Sequence, residues 1–299
     1  MPGFIKSFVK SRGLGACLAC LLTLASCSPS PRGPSIRFPY QWVDTPGYGG
    51  NIDRDGFKEP SGIVYHPLRK TLFVVSDEGE VEEITTDGLR LSHAEVIGDL
   101  EDITVHPETG LLYIIVEGAD VILEVEPAEM KVRRRFPIDR QYEGNPEFLQ
   151  KQKTGHDNGV EGLTFVPDLE HPQGGTFYAA NQWDPPAILE IEVPLNSAEQ
   201  DQAAARIIRV VPFKIDDPAT IHYDAARRVL CVVSDADNIY VEINLDGTLV
   251  VEYAFPGDNQ EGITWDEEGY LYIAQDSGGI LKVRDLRKFP GSISEGSKE

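Results

Sequence analysis

Asn259-Gln260-Glu261-Gly262-Ile263-Thr264-Trp265 is the clearest copy of a phrase that recurs along the chain. A turn follows at residues 266–269, then an apolar run, Tyr270-Leu271-Tyr272-Ile273-Ala274. The phrase returns as Gly159-Val160-Glu161-Gly162-Leu163-Thr164-Phe165 and as Asp99-Leu100-Glu101-Asp102-Ile103-Thr104-Val105. Weaker copies are Pro60-Ser61-Gly62-Ile63-Val64-Tyr65 and Pro218-Ala219-Thr220-Ile221-His222-Tyr223. Aligned on their third residues (Ser61, Glu101, Glu161, Ala219 and Glu261), the copies stand 40, 60, 58 and 42 residues apart. A four-stranded propeller blade takes about 40–45 residues. Two intervals therefore hold one bare blade, and two carry insertions, at residues 139–158 and 196–205.

Each copy reads as a series of short strands. In the first, residues 63–65, 71–76, 81–85 and 91–97 are β-branched or aromatic runs, with Asp87-Gly88 as the tight turn before the last. The fourth copy repeats this at residues 230–234, 239–244 and 248–255, with Asp246-Gly247 as its turn. The last copy runs out after residues 270–274 and 279–283. At the other end, residues 35–43 alternate Ile36, Phe38, Tyr40 and Trp42, a strand pattern without a partner. A ring of sheets must close without open edges. The reading is an all-β, five-bladed β-propeller over residues 36–290, its last blade closed by the N-terminal strand, with a polar tail at 291–299. The second insertion, from Ser197 to Ala205, is rich in helix formers and reads as a surface excursion.

The first 26 residues read as a targeting segment. Lys6, Lys10 and Arg12 precede an apolar stretch at 14–25, too short for a membrane span of about 20 residues. It ends in Leu24-Ala25-Ser26-Cys27, which resembles a bacterial lipobox. That resemblance implies cleavage before Cys27, acylation of Cys27, and attachment to the membrane through it. Residues 27–35, rich in Pro and Ser, read as a flexible tether. Ser28 after the anchor implies the outer membrane in a diderm cell, with the domain facing the periplasm or the exterior. Cys17 and Cys20 leave with the signal, and Cys231 sits in the apolar run Val229-Leu230-Cys231-Val232-Val233, as an inert core thiol.

The net charge of −22 decides against two partner classes. The leader holds three of the cations and no acid, so the remaining chain is more acidic still. Nucleic acid and anionic lipid both require Lys/Arg patches. Cations are compatible partners, although acidity of this kind also serves solubility alone.

Propeller geometry places the acids. Strand one leaves one face of the ring and strand two returns to it. The residue opening strand one and the residue closing strand two therefore share that face. The first set holds Glu101, Glu161 and Glu261, on the innermost strands; the second holds Asp77, Glu117, Asp235 and Asp276, with Gln182. Crowded carboxylates raise one another's pKa unless a cation neutralises them. A hard divalent ion, Ca2+ above all, takes six to eight oxygen ligands in flexible geometry. No His/Cys cluster has zinc spacing. The alternative is that each Glu fastens neighbouring blades by accepting backbone N–H groups. Asp53-Arg54-Asp55-Gly56 resembles part of a calcium loop but lacks its downstream ligands, and reads as a turn. His156, in Gly155-His156-Asp157-Asn158, is the candidate general base beside the mouth. His66 and His106 fall on the opposite face, and His222 within an inner strand. No G-x-S-x-G, H-E-x-x-H, Walker A or G-x-G-x-x-G motif is present.

At Asp99-Leu100-Glu101, Gly159-Val160-Glu161-Gly162-Leu163 and Gln260-Glu261-Gly262-Ile263, the chain resembles the SdiA-regulated family of bacterial envelope proteins. The resemblance extends to Leu72-Phe73-Val74-Val75-Ser76-Asp77-Glu78 and implies a five-bladed, NHL-like propeller with bound calcium. More distantly the chain is similar to six-bladed calcium-dependent lactonases and arylesterases, which have a further blade and asparagine ligands not found here. Two functions are expected. One is a lipid-anchored, calcium-binding module for a small ligand or an envelope protein. The other is a calcium-dependent lactonase or esterase at the channel mouth.

Overall fold

The computed structural model describes residues 36–43, 50–150, 159–197 and 203–289. The expected signal segment, Cys27 with its tether, His156 and the tail 291–299 lie outside the described residues. Regular structure among the described residues is strand throughout, apart from a 3-10 turn at Leu286–Lys288. β1 (Tyr40–Trp42) comes first. β2 (Pro60–His66), β3 (Thr71–Ser76), β4 (Glu80–Ile84) and β5 (Arg90–Glu95) form one four-stranded antiparallel sheet. An eight-stranded sheet follows in two halves. They are β6 (Leu100–Val105), β7 (Leu112–Val116), β8 (Val121–Glu126) and β9 (Lys131–Asp139), then β10 (Val160–Pro167), β11 (Gly175–Asn181), β12 (Ala187–Glu192) and β13 (Ala205–Val211). β14 (Pro218–Asp224), β15 (Val229–Ser234), β16 (Ile239–Asn244) and β17 (Leu249–Ala254) form another four-stranded sheet. The last contains β18 (Gln260–Trp265), β19 (Tyr270–Gln275) and β20 (Ile280–Asp285), with β1 completing it against β20.

The N-terminal strand thus pairs where its alternation suggested, with Tyr40 opposite Asp285 and Trp42 opposite Val283. It also reaches the neighbouring sheet, because Phe38 N donates to Ala254 O at 2.9 Å and Ala254 N to Ile36 O at 2.8 Å. Two features depart from the sequence reading. The halves of the eight-stranded sheet are not separate, because Ala205 and Arg206 pair in parallel with Ile138 and Asp139, outer edge to outer edge. Ala205 opens β13 instead of ending a helix, and its burial between strands overrides its propensity; residues 198–202 lie outside the described residues.

Apolar packing follows a cycle. Five buried clusters each draw on two sequence-neighbouring groups of strands: β2–β5 with β6–β9, β6–β9 with β10–β13, and so on round to β18–β20 with β2–β5. One position of the phrase reaches every cluster: Ile103, Leu163, Ile221, Ile263 and Ile63. Its glycine permits the first strands to touch. A Cβ on Gly162 would stand 2.8 Å from Ile221 N, and one on Gly262 2.8 Å from Ile63 N. Its threonine then fastens them. Phe165 N donates to Thr104 Oγ1 (3.3 Å), Tyr223 N to Thr164 Oγ1 (3.0 Å), and Tyr65 N to Thr264 Oγ1 (3.0 Å).

Asp102 replaces the glycine in the second copy and crosses the middle of the ring. Its carboxylate accepts Ile103 N at 2.7 Å, Leu163 N at 2.9 Å and the Thr220 hydroxyl at 2.9 Å, joining β6, β10 and β14. Burial pushes its pKa well up, opposed by those donors. Asp102→Ala should orphan two buried N–H groups at about 1–3 kcal/mol each. A denaturant titration showing a loss under about 1 kcal/mol would refute this central role.

Candidate functional site

Each first strand carries a β-bulge at the same place. The ladder register slips between Pro60 and Gly62, Leu100 and Asp102, Val160 and Gly162, Pro218 and Thr220, and Gln260 and Gly262. The skipped residues are Ser61, Glu101, Glu161, Ala219 and Glu261. A bulge leaves its extra residue unpaired and re-aims the side chain. Here it turns three glutamates into one cavity of about 450 Å3, lined by Glu101, Glu161, Glu261, Asp77, Glu78, Asp99, Glu117, Gln182 and Asp276. Backbone bonds across the strand ends hold the second set beside the first: Glu117 N to Asp99 O (2.9 Å), Gln182 N to Gly159 O (3.1 Å) and Asp276 N to Asn259 O (3.0 Å).

Among the described residues, eight of the nine that line it are acids, and none is Lys, Arg or His. One carboxylate oxygen from each of Asp77, Glu261 and Asp276 lies within 4.8 Å of the others, and the same holds for Asp77, Asp99 and Glu101. Glu161, only 9% exposed, and Glu117, 5% exposed, complete the wall. Burial, then the neighbouring acids Asp276 and Asp99, pushes Asp77 up to about 6. Burial, then Asp276 and Asp77, pushes Glu261 up to about 9. Glu101 and Glu161 are driven upward too, by burial first, then by Glu161 on the former and Glu117 on the latter. Asp77 Oδ1 is buried without a hydrogen-bond partner. Such a set of oxygen donors fits a hard cation: carboxylates and one amide, charge in excess, with no soft ligand.

The three glutamates, Asp77, Glu117 and Asp276 all reach this cavity. Asp235 does not line it; its pKa is raised by burial and by Asp217 instead. Glu78 and Asp99 line it without having been singled out from sequence. Asp99 holds the place of Gly159 and Asn259 in the alignment, two residues before each glutamate, and that was the available signal. Blade fastening falls to threonine, Asp102 and Ser61, whose hydroxyl donates to Leu100 O at 2.5 Å. Asp53 caps its own turn, accepting Asp55 N, Gly56 N and Phe57 N at 3.0–3.2 Å. His66 Nε2–H donates to Gly110 O at 2.9 Å across two first-strand turns, and His106 stacks on Phe165 at 4.4 Å. Cys231 is fully buried, and burial pushes its thiol up to about 12.

Among solved structures, the glutaminyl cyclase of Myxococcus xanthus matches with a TM-score of 0.54 at 13% identity, covering 76% of this chain and 90% of that one. A Bacteroides thetaiotaomicron protein of unknown function matches with a TM-score of 0.47 at 12% identity, over 75% of this chain and 54% of that one. A chain of a nidogen/laminin complex does so at 0.46 and 16%, over 72% of each. No curated protein sequence matches. The first of these supports a propeller-like all-β fold and nothing about chemistry. The family model described as SdiA-regulated matches residues 43–277, and the chain belongs to that family.

Proposed function

We propose that the chain is a five-bladed, calcium-binding propeller of the cell envelope, held to the membrane through acylated Cys27, and that its acidic mouth presents the ion to a small ligand or an envelope protein. The five-blade count is supported by the cyclic order of the five apolar clusters and by β1 completing the last sheet. The binding reading rests on one observation: among the described residues, eight carboxylates face a single cavity and no basic side chain lines it. Glu101, Glu161, Glu261 and Asp77 would hold the ion, with Asp276 and Asp99 flanking. A divalent cation relieves the charge crowding and allows the wall to ionise. The sequence of the leader, not the described residues, supports the envelope location.

Metal analysis of the purified domain, from residue 35 onward, tests this. About one equivalent of calcium is expected, together with a fall in melting temperature on chelation. Both should vanish in the combined Glu101→Gln, Glu161→Gln, Glu261→Gln variant. A binding energy of RT ln(1 + [L]/Kd) gives about 2.7 kcal/mol of stabilisation at a hundredfold excess over Kd. Calcium-free protein with a melting temperature indifferent to chelator and to added calcium would overturn the proposal.

A further inference from the structure

The first strands build a second cavity, of about 450 Å3, at the other end of the channel. It shares no lining residue with the acidic one, and Asp102 with its partners on β10 and β14 stands between them. The repeat itself makes its wall. Four residues beyond each bulged position stand Tyr65, Val105, Phe165, Tyr223 and Trp265, one per first strand, and all five line the cavity. One position earlier come Thr104, Thr164 and Thr264, and the imidazole of His222, whose ring centre lies 5.2 Å from that of Trp265. Burial lowers the pKa of His222 to about 4, so the ring is neutral and carries one donor and one acceptor.

Three of the four charged groups lining this mouth are in ion pairs, and Asp266 is held by neutral donors. Asp224 binds Lys288 Nζ at 2.9 Å and Arg227 at 3.1 Å. Glu267 pairs with Lys70, and Asp266 accepts the Tyr272 hydroxyl at 2.8 Å and Tyr270 N at 2.9 Å. With Asp224, Glu267 and Lys288 held in ion pairs, the rim favours a ligand without charge. Any ion entering would have to break these pairs or lose its hydration without compensation. Phe165 and Trp265 are nearly buried, whereas Tyr65 and Tyr223 are half-buried, and their rings are the ones placed to receive a flat ring, stacked or edge-on. The volume lies within the range of small-molecule sites, about 300–1,000 Å3.

We infer that this lower mouth is a second binding site, for one uncharged, planar aromatic molecule, independent of the acidic mouth. The probe is N-phenyl-1-naphthylamine, which is neutral, carries a flat naphthyl ring and fluoresces in apolar surroundings. Saturable binding of one equivalent per chain is expected, unaffected by chelator. Ala226→Trp, at an exposed turn position lining the mouth, should weaken it roughly tenfold or more. Tyr65→Ala, which removes one wall, should weaken it as well; the melting temperature of each variant checks folding. The assignment is overturned if the wild-type domain shows no saturable binding, or if both folded variants bind as wild type. It is also overturned if binding disappears on chelation or in the Glu101, Glu161, Glu261 triple Gln variant, which would place the probe at the acidic end.

Discussion

Stripped of divalent cations, the domain should become less stable as the pH rises from 5 to 9, and calcium should flatten that dependence. The sign follows from the direction of the shifts. Asp77 and Glu261 are raised to about 6 and about 9 in the folded chain. Unfolded carboxyls titrate near 3.9 and 4.3. Between the two values the folded chain keeps a proton that the unfolded chain has released. The stabilisation is fully present below about pH 4 and is lost as the pH climbs through 6 at Asp77 and through 9 at Glu261. Each such group costs about 1.4 kcal/mol per pH unit in its window. Three units at Glu261 alone come to at most about 4 kcal/mol, or roughly 8–15 °C in melting temperature for a domain of this size. A bound calcium ion favours the ionised carboxylates and removes the window. Melting curves across pH on metal-stripped protein, with and without added calcium, would read this. A flat metal-free profile would sink it, and so would two parallel profiles.

Phe38→Ala should cost about 3–5 kcal/mol, the range for emptying a large aromatic site. Phe38 is 2% exposed. It meets Tyr240 at 5.1 Å, Phe255 at 5.2 Å and Tyr253 at 5.7 Å, all edge-on. The Arg287 guanidinium lies 4.2 Å above its ring. Arg287 in turn binds Asp285 at 2.6 Å and Glu242 at 2.5 Å, so the cavity would open under a buried ionic network. The Phe38 backbone N–H, together with Ile36 O, also links the closing strand segment to Ala254 of β17. Phe38→Leu keeps most of the volume and should cost under about 1.5 kcal/mol. Chemical denaturation compares the two. A Phe38→Ala loss below about 1 kcal/mol would show that residues 36–43 are not needed to seal the fold.

Much of this was legible in one dimension. The repeat, the strand runs and the alternation of Ile36, Phe38, Tyr40 and Trp42 are local patterns, and local patterns of period two survive folding intact. The convergence of Glu101, Glu161 and Glu261 followed from strand direction alone. What stayed hidden depends on pairs of strands. The bulge at each glutamate exists only as a slip between two ladders. The parallel contact of Ala205 and Arg206 with Ile138 and Asp139 joins residues some 67 positions apart and leaves no periodic trace. Asp102 stands where other copies have glycine and nothing local marks it, yet its carboxylate ties three strands together at the ring's centre.

The bulge separates two kinds of inheritance. Residues on either side of it are bound by ladders and clusters, and copying a repeat copies those constraints. The bulged residue itself is left out of the ladder, and its identity differs between copies: Ser61, Glu101, Glu161, Ala219 and Glu261 occupy equivalent places on the same scaffold. Three of these places set the chemistry of the acidic opening, whereas Ser61 at a fourth ties its strand to Leu100, so one backbone device serves both the opening and the architecture around it.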